Sequence, residues 1–546
     1  MEDTNHQDAV DIEPMDNIEN IDYNSSDIEE YDEVIELDEN TLQRLKQDDP
    51  SVTHLSLSLS ASDQNYLNYF NKIDWKVDGD CISNNTHLKK LRVHVFDSIS
   101  ADHKHRQQLE DFFSCVYRNR SINVIDINLA FFEFAGSLIF DGLGGHPSII
   151  RLEITSYSKP LGSLGCEVLG KILKHSKCKL RDLRLSRCIL DDDSRINLLF
   201  DALSNNSTLK KLSLSLFNNT SINTVGCQSL SAVIRHTNCK LTKLSLSSTG
   251  LNDETVNILG SALSGSSVKV LDLSSNYSIT NSGWQTLLNQ ISKAPIINLD
   301  LSSSQIDDTS LVSLANISTL KCLDLCCNSS ITQTGWESFF NTLRQRGFKL
   351  VDLNIAENNI GYEGSDALSR LISNMSTLKT LGMNDMDYPQ DYAWVWVSFF
   401  DTMWGSNLDL VELYLSGNSI NDDGIEILTD LVSSMPSLKL LNFGYNRLVT
   451  PFGWWQALSE ILESPNFALK ELDLSANKID DDTMIVFANA LAGNKTLKLL
   501  HLYQDPQEIT KKGWEAINSS LQQNKYHGYL QLQSYTSRFY GRSHPI

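Results

Sequence analysis

The residues with the clearest chemical potential are aspartates that recur in a Leu-Asp-Leu setting, at Asp272, Asp300 and Asp324. If each occupies the same place on a neighbouring strand, the carboxylates stack about 5 Å apart. Like charges at that distance are unfavourable without a counter-ion or a basic partner. The pattern therefore predicts an acidic recognition patch, which Asp352 extends on the next segment. In the alternative interpretation, neighbouring serines satisfy these carboxylates and they bind nothing.

Two further groups of side chains are candidates for partner contacts on the same predicted face. Basic residues gather in the N-terminal half and predict a positively charged stretch. This set comprises Lys90, Arg92, Arg151, Arg184, Lys211 and Lys243. Near the C-terminal end, aromatic side chains predict the chemistry of a binding hot spot. The aromatic candidates there are Tyr414, His501 and Tyr503, and Asp473 is a further candidate for partner binding on the same face.

The sequence offers no recognised catalytic or cofactor-binding motif. It has no GxxxxGK[S/T] phosphate loop, no GxGxxG, HExxH or GxSxG, and no EF-hand loop. The ten cysteines include no CxxC pair, and Cys326 and Cys327 are adjacent, which indicates reduced structural thiols. We therefore expect a non-enzymatic protein without cofactor or metal that binds a protein partner.

The candidate residues are positioned by a repeat of about 29 residues whose mark is Leu-x-x-Leu-x-Leu. Each copy opens with an alternating run such as Leu469–Leu474, which predicts a strand buried on one face. An asparagine then recurs at a fixed place, where its side chain can bond the neighbouring turn. The remainder carries a helix-period pattern led by acidic or small polar residues that cap a helix. The asparagines are Asn276, Asn328, Asn358, Asn418, Asn446 and Asn477.

Tryptophans mark every second repeat and predict packed helices. They are Trp284, Trp336, Trp394, Trp454 and Trp514. Each is expected to open a helix and pack against its neighbour, because aromatics spaced this regularly are typical of a core. Residues 385–404 place seven aromatic side chains in one helix and its approach. Either the flanking helices accommodate them, or Tyr388, Trp396 or Trp404 forms an exposed convex contact.

The repeat also predicts the overall shape. Parallel strands lie about 4.8 Å apart and packed helices about 8–10 Å apart, so the stack must bend with its strands on the concave side. The run Leu180-Leu183-Leu185-Cys188-Leu190 follows Leu-x-x-Leu-x-Leu-x-x-Asn/Cys-x-Leu. In this it resembles the ribonuclease-inhibitor-like class of leucine-rich repeat proteins. The resemblance implies an α/β right-handed solenoid, a horseshoe with parallel strands on the concave face and helices on the convex face.

The resemblance implies a binding scaffold without naming its partner, since the class includes inhibitors, GTPase activators, ubiquitin-ligase adaptors and immune receptors. Ran GTPase activators of the class carry an acidic segment after their repeats, whereas here such a segment comes first. Residues 44–52 also resemble the segment that leads into the repeat domain of tropomodulin. The alternative functions are therefore a regulatory GTPase-activating protein of the Ran-activator type and an actin-filament regulator.

Charge divides the chain into unequal parts. The formal net charge is −23, and residues 1–50 contribute −16 of it from 18 acidic and 2 basic side chains. So acidic a segment is expected to be disordered, as a solubilising tail or as a docking arm for a basic partner. We predict an acidic tail at 1–43, an N-terminal capping segment at 44–87, about fifteen repeats over 88–524 and a C-terminal capping segment at 525–546.

Composition also limits the partners and the compartment. A chain this acidic is not expected to bind nucleic acid. The sequence shows no secretory leader and no apolar stretch long enough to span a membrane. We therefore expect a monomeric protein of the cytoplasm, or of the nucleus, that binds neither membrane nor nucleic acid.

Overall fold

The fold is seen in a computed structural model of the chain. The structure describes residues 35–59, 69–70, 72–95, 103–129, 142–156, 162–188, 193–204, 206–215, 222–386, 393–451, 453, 457, 462, 469–502, 509–523 and 531–533. Most of the predicted acidic tail, most of the predicted C-terminal cap, and Tyr388, Trp454 and Tyr503 lie outside the described residues.

Eighteen strands of the described residues form one sheet. Each strand pairs in parallel with the strand that follows it in the sequence. The strands are β1 (Ile35–Glu36), β2 (His54–Leu59), β3 (Lys90–Val95), β4 (Val124–Leu129), β5 (Arg151–Ser156), β6 (Asp182–Ser186), β7 (Lys211–Ser215), β8 (Lys243–Ser245), β9 (Val270–Asp272), β10 (Asn298–Asp300), β11 (Cys322–Asp324), β12 (Asp352–Asn354), β13 (Thr380–Gly382), β14 (Glu412–Tyr414), β15 (Leu440–Asn442), β16 (Glu471–Asp473), β17 (Leu499–His501) and β18 (Gln531–Gln533).

Helices connect most of these strands, and neighbouring helices pack against each other along the stack. Strands therefore line one side of the solenoid and helices the other, and the predicted α/β horseshoe is confirmed. The helices are α1 (Glu39–Lys46), α2 (Trp75–Asp78), α3 (Asp80–Ser83), α4 (His103–Val116), α5 (Gly162–Lys174), α6 (Asp193–Ser204), α7 (Thr224–Arg235), α8 (Asp253–Leu263), α9 (Asn281–Ile291), α10 (Asp308–Leu314), α11 (Gln333–Gln345), α12 (Gly361–Ile372), α13 (Trp394–Met403), α14 (Asp422–Ser433), α15 (Asp481–Gly493) and α16 (Lys511–Gln523).

The repeated leucines form the core because they are aligned from strand to strand. Leu271, Leu299 and Leu323 are paired in register and all are buried. An asparagine that follows β9, β11, β12, β14, β15 and β16 extends this order into the turns. The Nδ2 of Asn328 donates to the backbone carbonyl of Leu325 in its own repeat and to the backbone carbonyl of Leu301 in the preceding repeat. Stacked repeats are thus joined by buried apolar area and by side-chain hydrogen bonds.

Acidic and small polar residues cap several of the helices, as their positions predict. Asn252 and Thr255 form a reciprocal capping box at the start of α8, and Asp307 accepts from the Ser310 backbone N–H at 2.9 Å. Such a cap contributes about 1 kcal/mol to helix stability.

A further contact joins the helix starts of neighbouring repeats. Asp481 in α15 accepts from the backbone N–H of Thr510, just before α16, at 2.8 Å. A Cβ added at Gly513 would lie 2.7 Å from the same carboxylate. The glycine that precedes Trp514 is therefore needed for the close approach of this aspartate.

The tryptophan series departs from its predicted positions in one repeat. Trp284 and Trp336 are fully buried, but Trp394 is 48% exposed. Trp396, two residues further on, is 1% exposed and stacks on Phe400 with ring centroids 5.6 Å apart. The prediction that Trp394 packs in the core was therefore wrong. The alternative in which Trp396 forms an exposed contact was also wrong. The exposed aromatic surface of α13 and its end comes from Trp394 and Trp404.

The described elements also move two predicted boundaries. β1 and α1 occupy residues within 35–46, so ordered structure begins before the predicted end of the acidic tail at residue 43. Leu37, Leu42 and Leu45 of this segment are buried in the common core. The predicted N-terminal capping segment contains β2, which pairs with β3 and so belongs to the same sheet. The solenoid therefore begins earlier than residue 88.

Candidate functional site

The aspartates predicted as a recognition patch lie on adjacent strands, and we call Asp272, Asp300, Asp324 and Asp352 the acidic ladder. Asp300 is paired in register with Asp272 on one side and with Asp324 on the other. Asp352 stands at the start of the next strand, two residues before Asn354, which pairs with Asp324. All four project from the solvent side of the sheet, opposite the leucines.

Polar neighbours give the ladder hydrogen bonds. Asp272 accepts from the Ser245 hydroxyl at 2.6 Å and from the Ser274 hydroxyl at 2.7 Å. Asp324 accepts from the Asn354 Nδ2 at 2.9 Å. Serine hydroxyls therefore supply hydrogen bonds to Asp272, as in the alternative interpretation, whereas an asparagine supplies one to Asp324. These hydrogen bonds do not remove the negative charge that accumulates along the ladder.

The charge is most confined at Asp300, in the middle of the ladder. Its side chain is 3% exposed and accepts from the Ser302 backbone N–H at 2.8 Å. Burial raises the pKa of Asp300 well above its ordinary value, and the neighbouring charges of Asp324 and Asp272 raise it further. A nearby cation would reverse that effect, because it stabilises the ionised carboxylate.

Two carboxyls on later strands, Asp352 on β12 and Asp473 on β16, also have raised pKa values. Burial raises the pKa of Asp352 to about 7, and the negative charge of Glu412 acts in the same direction. Burial also raises the pKa of Asp473, which hydrogen bonds from Ser475 oppose. Both carboxyls are therefore poised to respond to a positively charged group.

Asp352→Asn is expected to flatten the pH dependence of stability. Because the folded-state pKa lies above the unfolded one, the wild-type protein loses stability as the pH rises from about 4 to about 7. Removing this group is expected to raise the free energy of unfolding at pH 8 by about 1–2 kcal/mol, with partial solvent screening taken into account. Urea unfolding at pH 5 and pH 8 measures the change, with the exposed convex Asp430→Asn as control. Equal pH dependence in both variants would contradict the assignment.

The structure adds carboxylates that the sequence analysis did not single out. Four places of each repeat from β9 to β16 carry these side chains: the first and third strand residues, and the residues two and three places beyond the strand. Every charged side chain at these places is acidic, and we call this set the acidic surface. Its members are Asp272, Asp300, Asp324, Asp352, Glu357, Asp385, Glu412, Glu471 and Asp473. Glu412 and Glu471 could have been predicted from the sequence, because they are the first residues of their strands, as Asp352 is of β12.

Three arginines of the basic stretch predicted in the N-terminal half of the face form ion pairs with carboxylates of the sheet. Arg92 forms an ion pair with Asp126 on the neighbouring strand, with Nε and Oδ2 2.8 Å apart. Arg151 and Arg184 both pair with Asp182, at 2.9 and 3.3 Å. These carboxylates offset the arginine charges, so Arg92 and Arg184 lie in local ion-pair networks within the sheet.

The C-terminal end of the face differs from the predicted aromatic rim. Tyr414 is 4% exposed, and its hydroxyl donates to Glu412 at 2.9 Å. His501 is 7% exposed, with Nε2 3.3 Å from an oxygen of Glu471. The two residues do not provide exposed aromatic area. Their contacts instead position the two carboxylates at the border of the acidic surface.

Comparison with known proteins places the repeat in a family. A family model described as "Leucine Rich repeat" matches residues 237–255, 348–369, 406–428 and 466–488. The ribonuclease inhibitor of Sus scrofa is 27% identical over 414 residues, which cover 74% of this chain and 87% of that protein. The NACHT, LRR and PYD domains-containing protein 14 of Mus musculus is 28% identical over 373 residues. That alignment covers 68% of this chain but 34% of the mouse protein.

A solved structure, the crystal structure of the Rad7 and Elc1 complex in yeast, aligns with 94% of this chain and 94% of the matched chain. The sequence identity is 14% and the TM-score is 0.37, so the likeness supports no conclusion about function. Within the described residues, no helix combines the length and the apolar character needed to cross a bilayer.

Fold and surface define a solenoid repeat protein in which a continuous parallel sheet offers an extended binding face. The chain is a leucine-rich repeat protein of the ribonuclease-inhibitor-like class. Its repeats, and the proteins that it resembles, support a protein-binding scaffold.

Proposed function

We propose that this protein is a non-enzymatic scaffold whose acidic surface binds a basic segment of a partner protein on the concave face. The observation that carries the proposal is that, from β9 to β16, every charged side chain at the first and third strand places and at the second and third places beyond each strand is acidic, although lysines directly precede five of these strands. Within the described ranges, no lysine or arginine forms an ion pair with Asp272, Asp300 or Asp352. A stripe of this kind attracts cationic partners over a distance of about 8–10 Å at physiological salt.

The energetics favour a partner whose cationic groups approach several carboxylates together. Buried like charges raise one another's pKa in the free protein, which is a cost that an incoming lysine or arginine relieves. Arginine suits the task, because its planar guanidinium donates to two carboxylate oxygens at once. The affinity is therefore expected to fall as the salt concentration rises.

Matched charge variants test the proposal. Asp352→Asn/Glu412→Gln/Glu471→Gln removes three carboxylates from the concave face. Glu363→Gln/Glu426→Gln/Asp430→Asn removes three from the exposed convex helices and changes the net charge equally. Each variant, immobilised as bait, is exposed to native extract, and bound proteins are quantified by mass spectrometry. The concave variant is expected to retain basic partners about tenfold less well, because each lost charge contact contributes about 0.5–1 kcal/mol. Equal capture by both variants would sink the proposal.

The acidic segment before β1 is the competing binding element. A third bait that lacks residues 1–34 leaves α1 and its buried leucines intact. Partners lost only with this deletion would assign recognition to the segment instead of the concave face. Partners retained by it and lost with the concave variant support the scaffold proposal.

Ribonuclease inhibition is a second candidate function. It is favoured by the alignment with the Sus scrofa ribonuclease inhibitor, which extends over 87% of that protein. If the candidate is correct, stoichiometric amounts of the chain lower RNA hydrolysis by a basic ribonuclease. The concave charge variant is then expected to inhibit less well than the convex one. Full ribonuclease activity in the presence of excess chain would exclude this partner while leaving other basic partners open.

The GTPase-activating and actin-regulating alternatives stay predictions. Rates of GTP hydrolysis and co-sedimentation with actin filaments test them directly. For the compartment, we propose the reducing cytoplasm or the nucleus, which the ten free cysteines support.

A further inference from the structure

A cluster of soft metal ligands lies at the turn that follows β11. It consists of Cys326, Cys327 and Glu357. One ligand atom from each of the three lies within 4.8 Å of the others, and the two sulfurs are 3.1 Å apart. The sequence predicts structural thiols at all ten cysteines, because no pair has the spacing of a zinc motif and Cys326 and Cys327 are adjacent.

The turn explains how adjacent residues bring their sulfurs together. In an extended strand, successive side chains point to opposite faces. Cys327 instead has a φ of 57°, in the left-handed region, which turns the chain immediately after Cys326. The conformation is held by the neighbouring repeat, because the Cys327 backbone N–H donates to the Ala356 carbonyl at 3.0 Å.

The third ligand comes from the equivalent turn of the next repeat. Glu357 occupies the place that matches Cys327 and also has a positive φ, of 56°. The hydrogen bond between Cys327 and Ala356, the residue before Glu357, fixes the two turns side by side. Cys326 is buried, Cys327 is partly buried and Glu357 is exposed, so the cluster opens to solvent on the carboxylate side. This opening provides a route of entry for an ion.

We propose that Cys326, Cys327 and Glu357 form a binding site for a thiophilic divalent cation of the zinc type. Two thiolates and one carboxylate are a ligand set suited to Zn²⁺, and the open side leaves a fourth position for water. Binding releases protons, because each coordinating thiol gives up its hydrogen. Glu357 also belongs to the acidic surface, but the metal titration below does not depend on recognition of a basic partner.

The ligand geometry requires a small adjustment. With Zn–S bonds of about 2.3 Å, two sulfurs on a tetrahedral ion lie about 3.8 Å apart. The separation in the free protein must therefore widen by about 0.7 Å, which a modest rotation of the partly buried Cys327 side chain supplies. The backbone of the turn need not move.

The charges around the cluster also favour a cation. The Cys326 and Cys327 sulfurs lie 3.1 Å apart, a distance at which either thiol can donate its hydrogen to the other. Asp324, two residues before Cys326, adds its negative charge close to the cluster. Burial and the charge of Glu357 raise the pKa of Asp385 in the following turn. A divalent ion neutralises this concentration of negative charge and stabilises both thiolates.

Cadmium titration of the full-length protein tests the proposal. The protein is reduced with a phosphine, stripped of metal and titrated with Cd²⁺ in the absence of oxygen, and sulfur-to-cadmium charge transfer is read in the ultraviolet. One equivalent is expected to bind the wild type, and Zn²⁺ is expected to displace it. Cys326→Ser and Cys327→Ser are each expected to weaken binding more than about 100-fold, because the loss of even an outer-shell partner costs 10–100-fold. Glu357→Gln is expected to weaken binding about tenfold or more.

Cys322→Ser is the matched control, because this partly buried thiol lies on β11, just before the turn, and is not part of the cluster. It is expected to bind Cd²⁺ like the wild type. Far-ultraviolet circular dichroism confirms that each variant folds, and Cys327→Ala provides a second substitution at the more exposed cysteine. The proposal is overturned if folded Cys326→Ser/Cys327→Ser gives the same one-equivalent signal as the wild type, or if the wild type gives none.

Discussion

Asn328→Ala is expected to lower the free energy of unfolding by about 3–5 kcal/mol. Asn328 is fully buried, and its Nδ2 donates to the carbonyls of Leu301 and Leu325 at 2.9 and 3.0 Å. Its Oδ1 accepts from the backbone N–H groups of Ser304 and Ile306 at 3.1 and 2.9 Å. Alanine removes these bonds. The Leu325 carbonyl still accepts from the Asn358 Nδ2, but the Leu301 carbonyl and the two N–H groups lose their Asn328 partner, and each such buried group costs about 1–3 kcal/mol. Guanidinium unfolding followed by circular dichroism measures the loss.

Asn374→Ala is the control for this prediction. Asn374 is exposed at the end of α12, and its Nδ2 donates to the Arg370 carbonyl at 3.2 Å. An exposed hydrogen bond is replaced by water, so the expected loss is below about 0.5 kcal/mol. Similar losses at the two positions would mean that the stacked asparagines do not stabilise the repeat.

Trp396→Ala and Trp394→Ala are expected to have opposite outcomes, although the residues are two places apart in one helix. Trp396 is 1% exposed and packs on Phe399 and Phe400, with centroids 5.8 and 5.6 Å apart. Its truncation leaves a large cavity and is expected to cost about 3–5 kcal/mol. Trp394 is 48% exposed and contacts Tyr362, so its loss is expected to cost less than about 1 kcal/mol.

Urea unfolding of the two variants, with the wild type in parallel, measures both losses. Tryptophan fluorescence provides an independent check, because replacement of a buried indole removes emission from an apolar environment. A larger loss for Trp394→Ala than for Trp396→Ala would show that the helix has the register originally predicted from the sequence.

The repeat was predictable because its determinants are local and recur. Leucine alternation sets the buried face of each strand, and the asparagine in the following turn has a fixed distance from it. The acidic residues before the helices are equally local signals, as Asn252 and Asp307 show. Such features need only the spacing along the chain, which the sequence displays directly.

The features that the sequence analysis missed depend on contacts between repeats. Trp394 and Trp396 fit the long spacing almost equally well, and the packing of α13 against its neighbours decides which one is buried. The basic stretch was predicted by counting cations, but strand pairing brings Asp126 beside Arg92. Burial at Asp300 likewise comes from the strands on either side. The sulfur pair depends on a left-handed turn that the adjacent turn holds in place.

Photo-crosslinking from single positions tests most directly whether the concave face binds the partner. A photoreactive amino acid replaces Thr380, which lies between Asp352 and Glu412 on the paired strands, or Val312, which is 68% exposed on the convex helix α10. Each protein is irradiated in native extract, and adducts are identified by mass spectrometry. If the concave face binds the partner, a basic protein is expected to be crosslinked from position 380 and not from position 312. Adducts of that partner from position 312 alone would contradict it.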